Sequence, residues 1–215
     1  MSETDTITPE RAAFVKQRLD ATDASGLGAK LASINNRHFP AIRKRMIPIL
    51  SNRALNDGTK TKLFHDAIEP LTREVSALSA CRKGCSHCCH IAVAINQGEA
   101  ALIGRKLGIK PASPENRALE SREKFSSKLP LGYDNPCPFL KNNECSIYEV
   151  RPLACRTHFN MDVDAELCRL DMGLSGVPLY KTTDLDLMGL HAVANGNPYR
   201  VVIADIREFF PAVNP

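Results

Sequence analysis

Cys81-Arg82-Lys83-Gly84-Cys85-Ser86-His87-Cys88-Cys89 puts four thiols within nine residues, and Cys137, Cys145 and Cys155 follow. Thiolates are soft ligands that select zinc and iron over magnesium or calcium. Cysteines two or three residues apart suit such ions, because one turn aims both sulfurs at a centre about 2.3 Å away. Cys81, Cys85 and Cys88 have that spacing. Cys89 does not share the direction of Cys88 easily, so the two thiols serve different ions, or one of them packs or does redox chemistry. Seven clustered thiols exceed the four that one tetrahedral zinc or one cubane cluster takes. Either the site is polynuclear or some of the seven are not ligands. Cys168, in the helix-like run Ala165-Glu166-Leu167-Cys168-Arg169-Leu170, reads equally as a buried thiol or a ligand. On this ranking Cys145→Ser loses metal and Cys168→Ser largely keeps it.

Other polar groups surround the cysteines. His87 and His90 flank the pair, and His158 follows Cys155. Imidazole ligates zinc and iron, but hydrogen bonding around the site is the preferred reading for all three. Arg151 and Arg156 bracket Cys155 and are expected to act on the cofactor, either by offsetting thiolate charge through hydrogen bonds or by holding a substrate carboxylate or phosphate. Tyr148 reads as packing. His38, His65 and His191 fall in helical segments with no partner evident in sequence.

Compartment decides how eight cysteines are read. The start, Met1-Ser2-Glu3-Thr4-Asp5-Thr6, lacks the basic and apolar regions of a signal peptide. No segment approaches the roughly 18 apolar residues of a membrane span. A reducing cytoplasm is therefore expected, where an even cysteine count points to metal or redox chemistry rather than disulfides. A formal charge of +4 without a basic stripe argues against a nucleic-acid partner. The dense run Arg43-Lys44-Arg45 reads as a solvated helix face.

The elements that must hold these side chains are mostly helical. Residues 1–80 read as an N-terminal helical region. One helix starts at Thr8-Pro9-Glu10, and a second spans about 27–50, bent or divided at Pro40 and Pro48. A third spans about 59–78, with Leu63, Ile68, Leu71 and Val75 on its buried face and Pro70 interrupting it. Residues 81–160 form the cysteine region. There 91–95 alternates like a strand, Gln97-Gly98-Glu99 opens a helix ending near Gly108, and 117–125 suggests a short helix. Lys141-Asn142-Asn143-Glu144 is a turn that would fold Cys137 and Cys145 together as a hairpin. Residues 161–215 read as helices over 164–172, 184–194 and 200–210, the last docking its aromatics with no chemistry implied. The fold class expected is mainly α, a helical domain with a small β-hairpin carrying a cysteine-rich metal site.

Cys81 with Cys85-Ser86-His87-Cys88-Cys89, then Cys137-Pro138-Phe139-Leu140 and the run from Cys145-Ser146-Ile147-Tyr148 to Arg151-Pro152-Leu153-Ala154-Cys155-Arg156, resembles the bacterial CxxCxxCC zinc- or iron-chelating proteins, also called YkgJ-like cysteine-cluster proteins. The likeness covers roughly residues 80 to 160, and its second half is the more specific. Three residues, not two, separate Cys81 from Cys85. The resemblance implies zinc or iron, with an iron–sulfur cluster among the forms. One relative, the flagellin lysine N-methylase, is an iron–sulfur methyltransferase, which implies as alternatives an enzyme acting on a protein or peptide substrate and, on the thiols alone, a redox sensor.

Overall fold

The computed structural model describes residues 8–118, 120, 124–125, 132–170, 176–180, 183–194, 200–211 and 213. Helix α1 (Pro9–Ala24) begins where Thr8 Oγ1 accepts the Arg11 amide at 3.2 Å. It buries none of its residues fully and is tied down by Arg18, whose guanidinium reaches Asp162 at 2.8 Å and Asp164 at 2.7 Å.

Helices α2 (Leu27–Ser51) and α3 (Asp57–Ala77) form the principal core. Both run through their prolines, Pro40 and Pro48 in α2 and Pro70 in α3, where the sequence suggested a break. An interior proline costs about 3 kcal/mol by removing one amide and crowding the carbonyl four residues back. Burial offsets that: Ile34, Ile42 and Met46 of α2 face Phe64, Ile68, Leu71 and Val75 of α3. Phe64, rather than Leu63, is the first buried hydrophobic side chain of α3.

Strand β1 is shorter than the alternation suggested, covering Ala94–Asn96. It leads directly into α4 (Gln97–Leu107), which packs on α3 and is started by a capping box between Asn96 and Glu99. The partner of β1 comes from the C-terminal segment expected to be helical. There β4 (Ile203–Asp205) pairs antiparallel with β1, Ile95 opposite Ala204, and only Ile206–Phe209 turns into the short helix α7. The run Val201-Val202-Ile203 is β-branched and favours extension. Asp205 and Glu208 form a second capping box that delays the helix to Ile206. The hairpin strands β2 (Leu140–Lys141) and β3 (Glu144–Cys145), the short helix α5 (Leu153–Thr157) and α6 (Thr183–Ala194) complete the described elements, with three single-turn 3₁₀ segments. Mainly helical with two small antiparallel sheets, this is the fold class expected.

One expected helix is not seen as such, and another falls partly outside the described residues. Over 164–172 the described residues hold only the 3₁₀ turn Glu166–Cys168, and 171–172 lie outside them. Around 117–125, residues 119 and 121–123 lie outside the described set. Among the described residues no helix is long and apolar enough to cross a membrane.

Glu99 links this frame to the cysteine region. Its carboxylate, almost fully buried, accepts the Asn96 amide at 3.0 Å and the Leu153 amide at 2.6 Å, and lies 3.7 Å from His65. It thereby fixes the start of α5, which carries Cys155. Glu99→Ala strands two buried donors, and at about 1–3 kcal/mol each the expected loss is roughly 3 kcal/mol. Glu99→Gln, which keeps one acceptor, should lose less. Chemical denaturation of the two variants gives the comparison, and equal stability of Ala and wild type would refute the linkage.

Candidate metal centre

The thiols are delivered by turns rather than by long elements. Gly84 takes φ +85°, a left-handed conformation that glycine adopts without strain, and turns the chain from Cys81 to Cys85. The 3₁₀ turn His87–His90 carries Cys88 and Cys89. The Cys137 amide donates to the Cys89 carbonyl at 2.6 Å, joining the two cysteine segments. In the hairpin, Asn142 and Asn143 sit at φ +51° and +60°, the paired left-handed geometry of a type I′ turn, and Leu140 stands opposite Cys145. Pro152 then starts α5, one turn into which lies Cys155.

All eight cysteines are free thiols. Three are faced by the amide N–H two residues on, His87 toward Cys85, Phe139 toward Cys137 and Ile147 toward Cys145, each favouring the thiolate. Burial outweighs this and pushes the Cys85 and Cys145 thiols up, and Cys137 up to about 11. Cys155 is raised well above its ordinary value, first by burial and then by the charges of Cys88, Cys137 and Cys145. Cys88 goes the other way: the hydrogen bond with Cys89 draws it down to about 7 against burial, and the Arg151 charge assists. The same hydrogen bond raises Cys89.

Arg151 and Arg156 part company. The Arg151 guanidinium stacks 3.9 Å from the Tyr148 ring centroid, its charge reaches Cys88, Cys145 and Cys155, and its buried Nε has no hydrogen-bond partner. Arg156 is buried, and its donors go to the carbonyls of Arg151 (2.9 Å) and Glu149 and to Glu69 (3.3 Å), so it braces α5. Tyr148 is 61% exposed, and its packing partner is the Arg151 guanidinium.

The histidines lie at the rim. His87 Nδ1 is 3.2 Å from the Tyr133 hydroxyl, and His90 Nδ1 is 3.3 Å from the Gly132 carbonyl with its ring edge-on to Tyr133. The His158 carbonyl lies 3.8 Å from Cys81 Sγ. His38 has a partner that the sequence did not reveal, Glu74 at 2.7 Å, and His65 has the buried Glu99 nearby. The His191 side chain lies outside the described residues.

Three residues organise the site that sequence reasoning passed over. Asn160 donates from its backbone to Cys81 Sγ (3.5 Å) and from Nδ2 to Cys168 Sγ (3.3 Å). Arg207 donates to the carbonyls of Ile91, Cys89 and Asn135 at 3.1–3.3 Å. Asp205 accepts the Val93 amide at 2.7 Å. The capping box Asp205-x-x-Glu208 was a readable signal for the last pair; nothing in the sequence marked Asn160.

Among the described residues, no three His, Cys, Asp or Glu side chains already enclose a single point as a metal cage. The donors nonetheless have the right chemistry for zinc or iron: sulfur throughout, amides facing the sulfurs, and the charges of Arg151 and Arg207 beside them.

The chain is thus a mainly helical protein whose turns and one hairpin gather free thiols in a single region. Residues 80–170 match the family described as "CxxCxxCC: Putative zinc- or iron-chelating domain". The matched span takes in Cys168. No curated protein and no solved structure matches the chain.

Proposed function

We propose that the protein is a cytoplasmic metal carrier or metal-stabilised protein that holds zinc or iron through thiolates, with Cys81, Cys85, Cys88, Cys89, Cys137, Cys145 and Cys155 as ligands. The observation that supports it best is the set of amides at His87, Phe139 and Ile147, each turned toward the thiol two residues before it. Hydrogen bonds from such amides stabilise negative sulfur, which a neutral packing thiol does not need. Arg151 offsets part of the thiolate charge from beside Cys88 and Cys145.

Anaerobic purification followed by metal and acid-labile sulfide analysis tests the reading. Metal near stoichiometry is expected. Colourless protein with zinc assigns a structural or carrier site, and brown protein with sulfide assigns an iron–sulfur cluster. A folded chain with affinity for neither metal overturns the proposal.

A further inference from the structure

We propose that the eight thiols build two four-sulfur metal sites side by side, Cys81, Cys85, Cys88 and Cys168 making one and Cys89, Cys137, Cys145 and Cys155 the other, with Asn160 ordering the first. The inference rests on the metal-binding reading and adds the number of ions, the membership of each site and a ligand, Cys168, that the sequence left open.

Packing groups the second set and parts it from Cys81. Cys89, Cys137, Cys145 and Cys155 all belong to one apolar cluster, with Val93, Phe139 and Ile147. Cys81 packs on the other cluster, that of α2 and α3. Cys168 joins Cys81 through a single residue. The backbone N–H of Asn160 reaches one sulfur at 3.5 Å and its Nδ2 reaches the other at 3.3 Å, so two thiols far apart in sequence are held close. Asn160 is 1% exposed and its remaining groups are committed. Its carbonyl accepts the Ala80 amide at 2.8 Å, its Oδ1 accepts the Asp162 amide at 2.9 Å, and Nδ2 also donates to the Asp164 carbonyl at 2.8 Å. A side chain fixed that firmly, with donors on two sulfurs, is an ordering device for thiolates.

The neighbours of the two outer thiols differ, although Cys88 lies near both sets. Cys168 is affected by Cys85, Cys81 and Cys88, whereas Cys155 is affected by Cys88, Cys137 and Cys145. Cys88 stands at the border, bonded to its neighbour Cys89. Cys89 has Cys137 and Cys155 beside it while Cys88 also neighbours Cys85 and Cys168, so the bonded pair straddles the two sets and supplies one sulfur to each. Eight thiols then divide without remainder into two tetrahedral sets. At each site one divalent ion enters, four S–H bonds ionise, four protons leave to solvent and four sulfur–metal bonds form; no electron moves.

Cobalt(II) titration of the full reduced chain under anaerobic conditions, followed by the sulfur-to-cobalt charge-transfer band, tests this. The wild type should saturate at two equivalents, and Cys168→Ser and Cys145→Ser at one each. A wild-type end point of one, two equivalents retained by Cys168→Ser, or loss of both by either variant overturns the two-site division. No uptake by folded wild type overturns the metal-binding reading instead. Should Cys168→Ser fail to fold, Asn160→Asp replaces the Nδ2 donor with an acceptor at constant size. It is expected to weaken one equivalent by about 10–100-fold and spare the other, the range typical for residues that hold ligands in place. Unchanged affinity at both equivalents removes Asn160 from the site.

Discussion

Chelation of the bound metal is expected to lower amide-exchange protection in residues 85–93 and 137–155 by about two orders of magnitude or more, while α2, α3 and α6 keep theirs. The cause is the unequal way the two parts are held. Between Cys85 and Val93 the regular structure amounts to one 3₁₀ turn, and between Cys137 and Cys155 to two strands of two residues, another 3₁₀ turn and the start of α5. A two-stranded hairpin is marginal by itself in water. Structural zinc contributes roughly 10–16 kcal/mol of apparent binding free energy in small zinc-dependent domains, and that free energy is folding free energy. By contrast α2 and α3 share a continuous core in which Ile68, Leu71 and Val75 are wholly buried, and Leu185 of α6 closes it. No sulfur is needed there. Far-UV circular dichroism should therefore change little on chelation, and the loss should map onto the cysteine turns. Uniform loss across α2 and α3, or unchanged protection at Cys137–Cys155, would show that the metal is not what holds this half.

What could be read from the sequence, and what could not, divides along a physical line. Local signals were legible. The cap at Thr8, the capping box opening α4, the asparagine pair of the hairpin and the proline before α5 each act within a few residues, and each element is found where its signal stands. Packing overrode local signals at Pro40, Pro48 and Pro70, because the buried faces of α2 and α3 offset the broken hydrogen bonds. Pairing at long range was not legible at all. Nothing in Val201–Asp205 announces that it will lie against Ala94–Asn96, since a strand of three residues has too little pattern to name its partner. The cysteines were visible by type and spacing. The roles of Asn160, Arg207 and Glu99 depend on chain segments brought together only by the fold. The same holds for the division between Arg151, beside the thiols, and Arg156, spent on carbonyls.

Arg207→Ala is expected to cost about 3–5 kcal/mol and to loosen the metal region, although no thiol is altered. Its guanidinium donates at 3.1 Å to the Cys89 carbonyl and to the Asn135 carbonyl, and at 3.3 Å to the Ile91 carbonyl. One side chain thus clamps the segment leaving the first cysteine cluster to the segment entering the second. It also pairs at 3.1 Å with Asp205, whose side chain is completely buried. Truncation leaves that carboxylate charged, buried and without its cation, which is the costly way to break a buried pair. Asp205 would keep the Val93 and Arg207 amides at 2.7 Å and 2.9 Å, so the cost should stay below that of an isolated charge. Arg207→Lys separates the two contributions: a lysine keeps the positive charge but lacks the planar fork that reaches several carbonyls at once. It should recover part of the stability while leaving metal release by a competing chelator faster than in wild type. Urea denaturation and chelator-exchange rates measured on the same three proteins provide the comparison. A loss under 1 kcal/mol for alanine, or lysine matching wild type in both measurements, would mean that the fork is a surface ornament and that the thiol segments are held by the metal alone.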